Sequence, residues 1–277
     1  MNEDILIEKF ELMNTRAKIR YFNGFERSRQ PSILLDVSKD KKGEFFVIAL
    51  RTPNELKNIE VLDVKPKEKH LLLLHRNKEE KRKDKFLMGH DERHLFTAAV
   101  PNSSVSSVDS AKRALIPPEL KDILAKGNLK FKEELKRKNI AFRRSGEWFF
   151  ISEPNFNPDL LLILKNEPLQ RNSVSKPHYL EFAYREGGED RYFPTFMSKK
   201  INVEQRRNGL TEVEYKKLSD DVRKSSNWQV RRVNPQLYAK GRITHADHST
   251  VILKGWHRVY MNGEYLAPAS KNILFID

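Results

Sequence analysis

Hydrophobic positions along the chain recur mostly with the period of strands. Ser32–Val37 and Glu44–Leu50 are apolar runs around the polar stretch 38–43, which ends in Gly43 and reads as a hairpin. Ile59–Val64 and His70–His75 predict two further strands. Phe86–Met88 and His94–Val100 then bracket a turn at Gly89-His90-Asp91-Glu92-Arg93. Helical spacing is confined to short pieces. Residues 3–14 follow Asn2 with Leu6, Phe10 and Met13 on one face, and Asp109–Leu115 and Glu119–Lys126 are separated by Pro117-Pro118. Lys130–Lys138 continues as a basic helix-like stretch.

Beyond residue 139 the strand period returns. Ala141–Arg144 and Glu147–Ile151 flank Ser145-Gly146 as a tight turn, with Trp148 and Phe150 on one face. Leu160–Leu164, between Pro158 and Pro168, predicts a buried strand. His178–Tyr184 and Arg191–Met197 surround a turn at residues 185–190. One helix is expected from the capping box Thr211-Glu212-Val213-Glu214 to Lys224, carrying Val213, Leu218 and Val222 inward. Trp228–Val233 and a hairpin centred on residues 241–260 complete the pattern, with a last turn at Asn262-Gly263. The expected fold is α+β: mainly antiparallel sheet in two β-rich parts, residues 1–101 and 140–277, with a few short helices. A basic helical connector at 102–139 joins the two parts.

Composition narrows the function classes. The 277 residues carry 52 Lys and Arg against 38 Asp and Glu, a formal charge of +14 with a pI near 9.7. That balance favours nucleic acid or an acidic protein as partner. With no cysteine, disulfides, thiolate zinc fingers, iron–sulfur ligation and cysteine nucleophiles are excluded. The acidic start Met1-Asn2-Glu3-Asp4 is unlike a signal peptide, and the longest apolar runs are too short to span a bilayer. A cytoplasmic protein without membrane attachment is expected.

Candidate chemistry gathers in Trp228–Glu264, which holds three of the eight histidines and two of the three tryptophans. His245-Ala246-Asp247-His248 and the earlier His90-Asp91-Glu92-Arg93-His94 both place two imidazoles and carboxylates at turns. Together His90, His94, His245 and His248 could hold a divalent metal that activates water against a phosphodiester, with His90, Asp91, His245, Asp247 and His248 as the candidate catalytic residues and His248 beside Asp247 as a candidate base. His257 lies nine residues past His248, roughly 30 Å along an extended strand, and belongs elsewhere. Metal apart, no cofactor motif is present: there is no phosphate-cradling glycine loop, nucleophile elbow or two-histidine protease helix.

Arginine beside aromatic side chains is the other recurrent theme. Arg143-Arg144 precede Trp148, Arg231-Arg232 follow Trp228, and Trp256 leads to Arg258. Bases stack on such rings while guanidinium groups hold phosphates. Lys136, Arg137, Lys199, Lys200, Arg206 and Arg207 extend the cationic set. The leading expectation is a nucleic-acid-binding accessory protein of a larger DNA- or RNA-handling machine. A metal-dependent nuclease or phosphodiesterase comes next, then a protein-interaction scaffold. Homodimerisation through exposed strand edges is a further expectation.

Overall fold

The computed structural model describes residues 2–22, 30–101, 104–127, 129–171, 175–195, 201–225 and 227–274. Lys199 and Lys200 lie outside them. The described chain is mostly antiparallel β-sheet with few short helices.

Helix α1 (Glu3–Glu11) starts where the Asn2 side chain accepts the amide of Ile5, at 2.9 Å. It ends three residues before the expected limit. Leu6, Phe10 and Met13 are all fully buried. Three strands follow: β1 (Arg16–Tyr21), β2 (Ile33–Asp40) and β3 (Gly43–Leu50). The predicted six-residue loop between β2 and β3 is shorter, because the ladder extends to Asp40 opposite Gly43. Gly43 has φ +106°, a conformation that side chains resist. β1 pairs with β3 in parallel, giving the sheet order β1-β3-β2.

A four-stranded antiparallel meander comes next: β4 (Ile59–Lys65), β5 (His70–Asn77), β6 (Arg82–Asp91) and β7 (His94–Ala99). Its central strands are buried on both faces, which is why they read as continuous apolar runs. Leu71, Leu73, Phe86 and Met88 pack with α1 and the first sheet. Leu72 and Leu87 turn the other way, against α2 (Val108–Ala114). Each such buried side chain contributes about 1.5–3 kcal/mol over its exposed form.

Residues 104–127 therefore lie packed between sheets. α2 covers the meander. The next segment, a 3₁₀ turn at Pro118–Leu120 followed by α3 (Lys121–Lys126), brings Leu120 and Leu124 onto Phe149 and Ile151. The basic stretch after Gly127 makes only one helical turn, α4 (Phe131–Glu134).

The second large sheet is fully antiparallel. Its strands are β8 (Arg143–Ser145), β9 (Trp148–Ser152), β10 (Leu164–Leu169), β11 (His178–Glu186), β14 (Gln236–Thr244) and β15 (Val251–Met261), in the order β10-β11-β14-β15-β9-β8. Along β9, Trp148 and Phe150 enter one core and Phe149 and Ile151 the other. The chain between β11 and β14 forms a separate antiparallel ribbon of β12 (Glu189–Pro194) and β13 (Trp228–Val233).

Two expectations are corrected here. Leu160–Leu162 form an exposed 3₁₀ turn, with Leu161 91% exposed, because Asp159 caps the Leu161 amide and the strand starts only at Leu164. Pro168 is tolerated since β10 is an edge strand. The helix after Thr211 splits into α6 (Glu212–Lys216) and α7 (Asp220–Ser225), preceded by α5 (Val203–Asn208). Its capping box forms as expected, yet Val213 is 62% exposed and only Val222 reaches full burial. At the C-terminal end, Ala267, Ala269 and Ile273 pack into the core under the first sheet, and Leu274 donates to Leu35.

Candidate metal centre

The six-stranded sheet brings three histidines together at one end. Tyr179 of β11 pairs with Thr244 of β14, so the preceding His178 lies beside the following His245. The loop 245–250 to β15 then returns His248 to the same place. Ring centroids are 4.1 Å apart for His178 and His245, 4.6 Å for His245 and His248, and 5.4 Å for His178 and His248. One ligand nitrogen from each ring lies within 4.8 Å of the others. Gly146, in the β8–β9 turn, closes over them: a Cβ there would stand 2.8 Å from His248 Nε2. That turn is Gly146-Glu147, one residue later than expected, with Ser145 paired to Trp148.

His178 is 1% exposed, and neither of its ring nitrogens has a hydrogen-bond partner. Leaving a buried polar group unsatisfied costs about 1–3 kcal/mol, so such groups call for an explanation. Burial pushes His178 down to about 2, with His245 and His248 adding to the effect. Burial also pushes His248 down to about 4 and lowers His245, where the Asp247 charge works in the opposite direction. Near neutral pH the cluster therefore consists of neutral imidazoles, the form that ligates metal. Interplanar angles of 16–22° make the present arrangement a stack. In-plane lone pairs of stacked rings run nearly parallel, so a shared ion requires the rings to fan out.

The loop that supplies His245 and His248 is gripped from the meander. His94, at the start of β7, bridges Glu44 Oε1 (Nδ1, 2.6 Å) and Asp247 Oδ1 (Nε2, 3.2 Å). The other Asp247 oxygen meets Lys176, and the Asp247 amide donates to His245 Nδ1 at 3.1 Å. Glu92 accepts the Ser249 amide at 2.6 Å and its hydroxyl at 3.1 Å. Arg137 pairs with both Asp91 and Glu92, and Arg144 Nη2 lies 3.6 Å from Asp91. Burial, with the Arg144 charge adding to it, brings Arg137 down to about 10. A cavity of about 90 Å³ adjoins this junction, with Gly146, His248, Asp91, Arg144, Arg171 and Glu264 among its walls.

The two histidine turns thus meet, but only in part. His94 reaches the cluster through Asp247, whereas His90 bonds the hydroxyl of Thr15, the residue before β1, at 3.1 Å. His257 stays on β15, against the Gly255 carbonyl. His178 was not singled out from the sequence: it lies 67 residues before His245 and reads as the first residue of an alternating strand. Only the strand register reveals it.

Many of the arginines expected to hold phosphates have protein partners. Arg143 donates to the Asn139 carbonyl at 2.6 Å, and Arg206 to that of Ile201 at 2.6 and 2.8 Å. Arg231 bonds Gln229 and lies over Phe193, and Arg232 pairs with Asp190 at 2.9 Å. Arg258 lies over Tyr260, and Trp256 meets Phe156 edge-on. Lys136, Arg207, Arg231 and Arg232 keep exposed side chains.

No protein-family model, curated protein or solved structure matches the chain. No helix of the described residues is long and apolar enough to cross a membrane.

Proposed function

We propose that the protein binds a divalent transition metal through His178, His245 and His248 and uses it to hydrolyse a phosphoester. The observation that carries this reading is His178, a buried imidazole with two unpartnered nitrogens, stacked beside two further neutral imidazoles. Imidazole suits zinc, copper, iron and nickel, and three protein ligands leave a fourth position for water. The ion would lower the pKa of that water toward neutrality. Arg144, in the wall of the adjoining cavity beside Asp91, would supply a positive charge to an anionic group there, and the +14 charge would draw such substrates toward the protein.

The test is zinc content after loading and dialysis, with cleavage of a phosphodiester such as bis(p-nitrophenyl) phosphate. One ion per chain is expected in the wild type and none in His178→Ala, with activity following occupancy. Equal zinc in the two proteins, or none in either, refutes the site.

A second reading, association with nucleic acid, is favoured by the net charge together with exposed Lys136, Arg207, Arg231 and Arg232. Its signature is affinity for DNA or RNA that falls with salt. Replacing Arg207, Arg231 and Arg232 by Ala should flatten the log–log slope by roughly 1 for each arginine that neutralises a phosphate. Affinity independent of salt sinks it. An acidic protein partner, a homodimer and a cytosolic setting accord with either reading. So does division into two β-rich parts, which would meet at the cluster.

A further inference from the structure

We infer that Asp247 is the outer carboxylate of the metal site, and that His94 and Glu92 of the β6–β7 hairpin set its affinity by holding Asp247 and Ser249 in place. This rests on the metal reading above. Metal-ligating histidines almost always direct their second ring nitrogen to a carboxylate or carbonyl, which fixes the tautomer and raises ligand basicity. In the stack, His245 Nδ1 accepts the Asp247 amide, so the neutral ring carries its proton on Nε2. A ring that held an ion through Nε2 would carry its proton on Nδ1, where it would need an acceptor. Asp247 is 8% exposed and lies two residues past His245 in the same loop. Its carboxylate is the acceptor at hand.

What aims that carboxylate comes from elsewhere in the chain. His94 holds Oδ1 at 3.2 Å, and Lys176 holds Oδ2. His94 is itself oriented by Glu44, which also accepts the Leu95 amide at 2.9 Å. Two residues past Asp247, Glu92 clamps Ser249 through amide and hydroxyl. Glu92 has φ +52°, an unfavourable conformation for a residue with a side chain. Strain of this kind persists where the surrounding structure over-determines it. The His94 and Glu92 bonds tie a ligand-bearing loop of the large sheet to a hairpin of the meander. His94 and Glu92 are therefore positioning residues, and by linkage the ion must tighten the hairpin's hold as much as the hairpin tightens the ion's.

Zinc titration against a chromophoric chelator, with hydrogen exchange on the same full-length proteins, tests this. Asp247→Asn and His94→Ala should each weaken zinc binding by about 10–100-fold while one ion still binds, and His94→Gln should recover part of the loss. In the wild type, zinc should slow exchange of the Ser249 and Leu95 amides, and in His178→Ala it should not. His94→Ala binding zinc within twofold of wild type overturns the inference and leaves the metal site standing. Unchanged exchange at Ser249 and Leu95 on saturation does the same, and needs no variant to fold. A wild type that binds no zinc overturns both.

Discussion

Substituting Gly146 by Ala tests whether the histidine cluster is a built site or an incidental meeting of rings. Gly146 has φ +53°, and its added Cβ would lie 2.8 Å from His248 Nε2, 3.2 Å from His248 Cδ2 and 3.3 Å from His178 Cε1. Ordinary van der Waals separation begins at 3.4 Å, so the His248 ring must retreat by about 0.6 Å. The left-handed backbone alone costs roughly 1–2 kcal/mol for a residue with a Cβ. In a chain of this size that corresponds to a Tm lower by roughly 2–8 °C. Gly43→Ala is the matched control: φ is +106°, and nothing lies within 4 Å of the new Cβ. Both variants should lose stability, measured by thermal unfolding followed by circular dichroism. Only Gly146→Ala should also weaken zinc binding, because only there does the methyl group meet ligand rings. If the two variants bind zinc with the same affinity, the ring positions do not govern the site and the geometric argument fails.

Two further outcomes follow from buried charge. Glu264 is 2% exposed, accepts the Ala99 amide at 3.0 Å and pairs with Arg171 at 2.6 Å. Arg171→Met should therefore cost about 3–5 kcal/mol in urea denaturation by stranding the carboxylate, and adding Glu264→Gln should restore part of it. A double variant no more stable than the single one refutes this. His70 is held down to about 4 by burial and by the charges of Lys112 and Arg144, against the opposing Glu68 carbonyl and carboxylate. The unfolded chain takes up this proton near pH 6.5 and the native one only near 4, so the contribution is complete above 6.5 and is lost as pH falls toward 4. The slope is at most about 1.4 kcal/mol per pH unit. His70→Gln should flatten the stability profile in that window, and an unchanged profile would show that His70 is not its source.

Strand-forming stretches were legible wherever one residue-by-residue rule governed them. Period-2 alternation located β9 with its Trp148–Phe150 face, and the Thr211 capping box marked a real helix start. The rules failed where burial depended on a remote partner. Leu160–Leu162 are as apolar as Leu71–Leu74, yet the first group is exposed, whereas the second is covered by the first sheet and α1 on one face and by α2 on the other. β1 escaped notice because its pairing with β3 is parallel and spans the intervening β2.

By itself the sequence determined the short-range facts: where the chain extends, where it turns, that no thiol chemistry is available, and that the surface is strongly cationic. The loop at residues 245–248 was identifiable as chemically unusual because its two histidines and aspartate fall within four consecutive positions. Tertiary structure decided which histidines share a site. His178 joins through the β11–β14 register, His94 through Asp247, and His90 is drawn away to Thr15. A ladder slipped by one residue would turn His178 to the other face of the sheet. Local spacing does not encode that register, because it is set by how the apolar faces of strands far apart in sequence pack into common cores.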